Sequence, residues 1–160
     1  MEALLLRAAE RGDLLSVKAL LLVGADIDCR DQYDRTPLML AARSGHANVI
    51  KALIDGGADI NAREKHFQTT PLMYAVNSRD FALVVMLLSK GVDVNFVGSG
   101  GRTALMDAVW LGLVDIVRAL VENGANVNSV DQERRSALEK AIYKGNAGII
   151  AILKSAGAKE

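Results

Sequence analysis

The chain contains few of the residues that cross-link or anchor small proteins. Its 160 residues include one cysteine, Cys29, and two prolines, Pro37 and Pro71. A single cysteine excludes a disulfide within the chain, and no group of Cys and His residues has the spacing of metal ligands. We therefore expect neither a metal site nor a cofactor. We interpret Cys29 as a small structural residue in a loop rather than a redox centre.

An excess of charge of one sign is also missing. Lys and Arg together number 19, as do Asp and Glu, so the formal net charge at neutral pH is zero. A balanced chain has no general electrostatic reason to bind nucleic acid or an anionic membrane. The longest apolar runs are too short to span a bilayer, and residues 1–7 lack a basic segment followed by a long apolar run. We expect no membrane insertion and a cytoplasmic location, unless an export signal has been removed.

What the chain does contain is a period. Glycines spaced by 33, 34, 33 and 33 residues each open a similar phrase, and the last phrase is truncated. These glycines are Gly24, Gly57, Gly91, Gly124 and Gly157. A hydroxyl residue lies 21 residues before each of the last four glycines, at Thr36, Thr70, Thr103 and Ser136. A fixed period of this size indicates a stacked repeat rather than a single globular core.

The second unit shows how one repeat is built. Thr36 can cap a helix whose first position is Pro37, where the missing N–H costs nothing. Residues 38–42 give that helix an apolar, small-residue face, and Gly45 supplies a turn. Residues 49–54 then repeat apolar side chains at helical spacing. Neither predicted helix is long enough to be stable alone, so stacking against neighbours must supply the burial.

These residues resemble the ankyrin repeat. Residues 36–42, 70–75 and 103–108 resemble its opening helix, and the Gly-Ala-Asp-Ile-Asn phrase at 57–61 resembles its close. The resemblance covers essentially the whole chain and implies an all-α solenoid of stacked helix–turn–helix units with projecting β-hairpin-like loops. It implies one domain over residues 1–160, in which the first and last units serve as caps. The units are roughly 1–33, 34–66, 67–100, 101–133 and 134–160.

Some positions break the repeated pattern. The family usually has a histidine where this chain has Met39, Met73, Met106 and Glu139. Because that histidine makes internal hydrogen bonds in the family, we interpret its loss as a change of packing. Arg79 stands where the other units have a glycine at the turn between their helices, so we expect the third unit to be locally irregular. Asp107 and Lys140 lie 33 residues apart, and we expect them to form a surface ion pair across a repeat boundary; the alternative is that one of them contacts a partner.

Nothing in the sequence indicates catalysis. His46 begins the second helix of its unit, where the family commonly has histidine, and we assign it a structural role. No Ser or Cys nucleophile has a recognisable paired base, and the glycine run at 98–101 lacks the Lys-Ser/Thr of a phosphate-binding loop. We interpret Asp26, Asp59 and Asp93 as residues that brace loops rather than metal ligands. We therefore predict a protein that is not an enzyme.

The resemblance implies a protein–protein interaction module, because ankyrin stacks usually grip partners with their loop tips and the exposed sides of their first helices. Five of the seven aromatic residues map to this surface, and large aromatic side chains are common at binding hot spots. We predict a monomer that docks a folded protein partner in its concave face, as an adaptor or as an inhibitor of a partner enzyme.

The predicted partner-binding residues form a contact centre with a cationic rim, flanked by two further aromatics at the tips. The centre comprises Tyr74, Trp110, Leu111 and Tyr143. The rim comprises Arg35, Arg102, Arg135 and Lys144, and the flanking aromatics are Tyr33 and Phe67. Within the first helices, one register is expected to face the groove: Arg43, Asn77, Trp110 and Tyr143.

Other classes of function stay open as alternatives. Tip cations such as Arg102 and Arg135 would favour nucleic acid, but acidic residues such as Asp131 and Glu133 interleave with them. A structural or designed scaffold is a further alternative, against which the irregular third unit and the uneven aromatic placement argue. A cryptic enzyme is the alternative with the least in its favour.

Overall fold

A computed structural model describes residues 1–159, and within them it contains ten α-helices and no β-strand. The helices are α1 (Glu2–Arg11), α2 (Leu14–Leu22), α3 (Pro37–Ser44), α4 (Ala47–Asp55), α5 (Pro71–Asn77), α6 (Phe81–Ser89), α7 (Ala104–Trp110), α8 (Val114–Glu122), α9 (Ala137–Tyr143) and α10 (Ala147–Ser155). A short 3-10 turn covers Ser99–Gly101, and an isolated bridge joins Val130 to Ser136. The all-α prediction is confirmed. None of these helices has the length and apolar character needed to traverse a lipid bilayer.

Consecutive helices form pairs that stack in two layers. Each odd-numbered helix packs on the even-numbered helix that follows it, from α1 on α2 to α9 on α10. The odd-numbered helices also pack on one another in series, and α2 packs on α4, α6 on α8 and α8 on α10. One leucine position is fully buried in successive first helices: Leu5, Leu38, Leu72, Leu105 and Leu138. The predicted solenoid of helix–turn–helix units is confirmed.

Hydroxyl side chains start four of the first helices. The hydroxyls of Thr36, Thr70, Thr103 and Ser136 accept hydrogen bonds, 3.2–3.4 Å long, from the backbone N–H three residues further on. Such a cap satisfies one of the N–H groups that a helix leaves unpaired at its start. The N–H donors belong to the positions where the family usually has histidine. Three of these four positions hold buried methionines. At the fourth, the Glu139 carboxylate accepts a hydrogen bond from the Ser136 N–H at 2.6 Å.

A single residue with a left-handed backbone turns the chain between the two helices of each pair. Gly12, Gly45, Gly112 and Gly145 have φ between 67° and 75°, and Arg79 has φ of 61°. The third turn therefore keeps the same path, and the irregularity expected there is absent from the backbone. The strain is confined to Arg79, because this conformation costs a residue that carries a Cβ about 1–2 kcal/mol.

The repeated Asp and Asn residues link neighbouring pairs through their backbones. In each phrase the first carboxylate or amide accepts from the N–H two residues on, at 2.9–3.0 Å. The second accepts from an N–H in the next phrase, at 2.7–3.3 Å. The accepting residues of this second set are Asp28, Asn61, Asn95 and Asn128. The interpretation of the aspartates as loop braces is confirmed, and the second set forms a ladder along the stack.

The surroundings of Cys29 and His46 indicate that both residues have a structural role. Cys29 is buried, and burial, followed by the nearby carboxylates of Asp26, Glu2 and Asp28, raises the pKa of its thiol to about 11. His46 precedes α4, and its Nε2 lies 3.0 Å from the carbonyl oxygen of Glu10 in the first helix. A thiol that stays protonated is a poor nucleophile, and an imidazole held on a backbone carbonyl ties the second helix pair to the first.

Candidate functional site

Four loops project beside the first helices and enclose a groove with them. We call these loops the tips; they comprise residues 31–35, 64–69, 97–102 and 131–135. Three pockets of about 460, 440 and 520 Å³ lie along the groove, and we call them its first, central and last segments. The first and central segments share Arg43, Phe67 and Tyr74, and the central and last segments share Asn77 and Arg102. The groove is therefore continuous from the first helix pair, where Glu10 lines it, to the fifth.

A carboxylate that is buried or partly buried organises three of the tips. Asp31 Oδ1 accepts from the backbone N–H groups of Tyr33 and Arg35, both at 2.9 Å. Asp131 accepts in the same way from two N–H groups of the last tip, at 2.9 Å. In the second tip, Glu64 accepts from three N–H groups, at 2.6–3.0 Å. Each of these three tips is thus shaped by a carboxylate that accepts hydrogen bonds from the backbone N–H groups of its own tip.

Hydrogen bonding keeps these carboxylates ionised. Burial opposes the charge of Asp131, but hydrogen bonds from Lys140 and from the Arg135 backbone outweigh burial and lower its pKa from 3.8 to about 2. Burial likewise opposes the charges of Asp31 and Glu64, and the hydrogen bonds they accept lower the pKa of both. At neutral pH all three carboxylates are therefore charged and already engaged.

The third tip is held by its neighbours instead of by a carboxylate. Gly98 occupies the position that Asp31 and Asp131 occupy elsewhere. The Ser99 N–H donates to the carbonyl of Phe67 in the preceding tip, and the Gln132 N–H of the following tip donates to the carbonyl of Gly100, both at 2.9 Å. A Cβ on Gly98 would stand 3.2 Å from the carbonyl oxygens of Phe67 and Gln68, so glycine allows this close approach.

The expected ion pair between Asp107 and Lys140 does not form. Asp107 pairs with Arg102, with Nε–Oδ1 at 3.0 Å and Nη2–Oδ2 at 2.6 Å, and Lys140 pairs with Asp131. The cause is the missing carboxylate at Gly98, which leaves Arg102 of the same tip to pair with the acid on α7. Before α9 the tip supplies the acid, Asp131, and the helix supplies the cation, Lys140. Each of these helix charges is therefore compensated by the tip that precedes its helix.

Trp110 lines the last segment of the groove and stacks on Tyr143 beside it. Their rings are nearly parallel, with an interplanar angle of 5° and centroids 6.4 Å apart. The Lys144 ammonium lies 3.8 Å from the Trp110 centroid. Despite this contact, Trp110 is 50% exposed and Tyr143 is 81% exposed. Leu111 is partly buried, packs against the core and lines the last segment.

Tyr74 lies apart from this cluster. It is partly buried against the core and lines the first and central segments together with Phe67. Phe67 is 66% exposed. Tyr33 lies under the Arg35 guanidinium, 4.9 Å from it, at the outer side of the first segment. The four residues predicted as one contact centre therefore occupy two parts of the groove.

All four predicted rim cations are engaged within the protein. Arg35 pairs with Asp31 at 2.6 Å, and Arg102 pairs with Asp107. Arg135 contacts the carboxylates of Asp131 and Glu133, at 3.4 and 2.8 Å, and the cation of Lys144 lies on the Trp110 ring. The three arginines line the groove while they are paired with carboxylates, and Lys144 lies against Trp110 outside the three segments.

Arg43 and Asn77 line two segments each but were not among the predicted partner-binding residues. The repeat register could have identified Arg43 and Asn77, because it aligns them with Trp110 and Tyr143. A prediction based on large apolar side chains and on cations of the tips does not include them.

Comparison with known families matches the same family along nearly the whole chain. The family model described as ankyrin repeats matches residues 5–97, 59–131 and 83–160, in three overlapping copies. A search of curated proteins gave no match.

Proposed function

The chain belongs to the ankyrin-repeat family, and we propose that its groove binds a folded protein partner without catalysing a reaction. Ankyrin repeats are generally protein–protein interaction modules, and the family is typically non-enzymatic. The protein acts as a monomer that occupies the partner's surface. It either connects that partner to another component or blocks the partner's own active cleft.

The Trp110–Tyr143 stack is the observation that carries this proposal. Two large aromatic rings remain exposed although the core beneath them is already filled with aliphatic side chains. Parallel stacking and the Lys144 contact restrict the rings before any partner arrives. Rings held in this way lose little side-chain entropy on binding, which favours a role as anchors.

The electrostatics of the tips favour a protein over a nucleic acid. Arg35, Arg102 and Arg135 each contact a carboxylate of the chain itself. Binding to a phosphate backbone depends on cations that can neutralise phosphates and release counterions. Paired arginines supply less of that effect, whereas a protein surface can contact both members of each pair.

The test is a crosslinking pull-down, read by mass spectrometry, with the wild type and two matched double variants. Trp110→Ala/Tyr143→Ala removes the stack from the groove. Phe81→Ala/Val85→Ala removes two exposed apolar side chains from α6, on the layer of second helices. A true partner is retained by the wild type and by the α6 variant but reduced at least about tenfold by the groove variant.

Thermal denaturation of both variants shows whether each still folds. Equal retention of the partner by a folded groove variant would refute the proposed site. If the partner is an enzyme, its activity in the presence of excess protein separates the two roles. An inhibitor lowers that activity, and an adaptor leaves it unchanged.

A further inference from the structure

The central segment of the groove has a different charge from the segments beside it. Two arginines and no carboxylate line it, whereas Glu10 and Glu64 line the first segment and three acidic residues line the last. The side chains that line it are Arg43, Phe67, Thr69, Tyr74, Asn77, Ser78 and Arg102. Because Asp107 pairs with Arg102, the positive charge left uncompensated in this segment, among residues 1–159, is that of Arg43.

The two arginines keep hydrogen-bonding capacity for a ligand. Arg43 is exposed, and among residues 1–159 it has no hydrogen-bond or ion-pair partner. Arg102 uses Nε and Nη2 on Asp107, which leaves Nη1 unused, and its side chain is 46% exposed. A guanidinium binds a carboxylate through charge-assisted hydrogen bonds that are about twice as strong as neutral ones.

The remaining polar groups of the segment suit a peptide backbone. Asn77 donates through Nδ2 to the Met73 carbonyl at 2.9 Å, and Ser78 donates through Oγ to the Ala75 carbonyl at 2.8 Å. The Asn77 Oδ1 and the Ser78 hydroxyl oxygen can therefore still accept hydrogen bonds. An extended peptide offers N–H donors to such acceptors, whereas a phosphodiester backbone offers only acceptors.

Aromatic walls complete the segment. Phe67 is largely exposed, and Tyr74 presents the part of its ring that the core does not cover. Both residues line this segment together with the arginines. An apolar side chain next to an acidic one in the ligand would meet these rings.

We propose that the central segment recognises an extended acidic segment of the protein partner. One carboxylate of that segment lies between Arg43 and Arg102, and an adjacent apolar side chain packs on Phe67 and Tyr74. This inference rests on the proposed function, because it names the chemistry of the partner in the same groove.

The experiment selects peptides from a phage-displayed library of random 12-residue sequences on the full chain. We expect the selected peptides to be enriched in Asp or Glu beside an apolar residue. Synthetic copies should bind Arg43→Gln about tenfold or more weakly than the wild type, since a charge-assisted contact is lost. Arg118→Gln removes an exposed arginine from α8 and should bind like the wild type.

A double-mutant cycle locates the contact. Replacing the peptide's acidic residue by its amide should weaken binding to the wild type more than it weakens binding to Arg43→Gln, in which Arg102 is the remaining cation. The melting temperature of Arg43→Gln should stay close to that of the wild type, because Arg43 has no ion-pair partner to lose within the part of the chain that the structure describes.

Three results would overturn this inference: selected peptides that are neutral, basic or absent, full binding to Arg43→Gln, or displacement of the peptides by a 12-nucleotide oligothymidine. Failure here is distinguishable from failure of the proposed function. A partner lost by Trp110→Ala/Tyr143→Ala but retained by Arg43→Gln removes only the acidic-segment inference.

Discussion

The backbone of Gly101 lies against that of Asp131, so that a Cβ on Gly101 would stand 2.8 Å from the Asp131 Cα. The neighbouring Gly100 has nearly the same left-handed φ, 77° against 74°, but its Cβ would meet nothing within 4 Å. Gly100 and Gly101 therefore differ in why the position needs glycine. Both need backbone freedom, and only Gly101 also needs the absence of a side chain.

Gly101→Ala should destabilise the protein more than Gly100→Ala. Each substitution places an alanine in the left-handed region, at about 1–2 kcal/mol. Gly101→Ala must also displace the backbone of the last tip, which we expect to cost at least about 1 kcal/mol more. Urea denaturation measures both changes in the free energy of unfolding, and equal losses would contradict the close contact between these tips.

Arg79→Gly should stabilise the protein. The substitution relieves a left-handed residue at φ 61°, and we expect a gain of about 0.5–1 kcal/mol after the added flexibility of the unfolded chain is deducted. The matched control is Ser78→Gly, because Ser78 has the helical φ of −75° and donates to the Ala75 carbonyl. That control should lose stability in the same denaturation experiment. Changes of the same sign in both variants would argue against strain at Arg79.

Stability at low pH should depend on Asp131. Its pKa is lowered from 3.8 to about 2 in the folded protein, so its stabilising effect is fully present above pH 4 and is lost as the pH falls toward 2. We expect the contribution to be about 1–2 kcal/mol, because the side chains of Asp131 and Lys140 are largely buried but the second cationic partner, Arg135, is half exposed. Urea midpoints of the wild type and Asp131→Asn, measured between pH 7 and pH 2, check this. The difference should shrink on acidification, and a constant difference would rule out the assigned linkage.

Asn95 should contribute to stability through both ends of its amide. Its Oδ1 accepts from the Asn126 N–H at 2.7 Å, and its Nδ2 donates to the Gly124 carbonyl at 3.0 Å. Asn95→Ala should cost about 1–2 kcal/mol, and Asn95→Asp should cost less because it keeps the acceptor. Hydrogen exchange at the Asn126 amide should accelerate in the alanine variant only. Equal acceleration in both variants would show that the acceptor does not protect that amide.

The fold could be predicted from the sequence because its determinants are local and repeated. Thr36 caps the helix that begins next to it, and Gly45 ends that helix eight residues later. Arg79 is the instructive exception, since it takes the backbone angle that glycine takes elsewhere. The neighbouring turns fix the chain path strongly enough to impose that angle on a residue with a Cβ.

The pairings within the site could be predicted only in part. Register correctly brings Trp110 beside Tyr143, because both end the first helices of adjacent pairs. It fails for Asp107 and Lys140, because register gives proximity but does not show that Arg102 and Asp131 compete for the same charges. That competition depends on the tip geometry around Gly98, which emerges only when three tips are in place together.

The Asp and Asn ladder has a mechanical consequence. Its hydrogen bonds join each helix pair to the next in series, so a pull applied to the two ends of the chain puts the full tension on every link instead of dividing it among them. Under such tension the weakest rung yields first, and the chain lengthens by one helix pair at a time. The protein would then extend in discrete steps, each of which corresponds to the release of one helix pair.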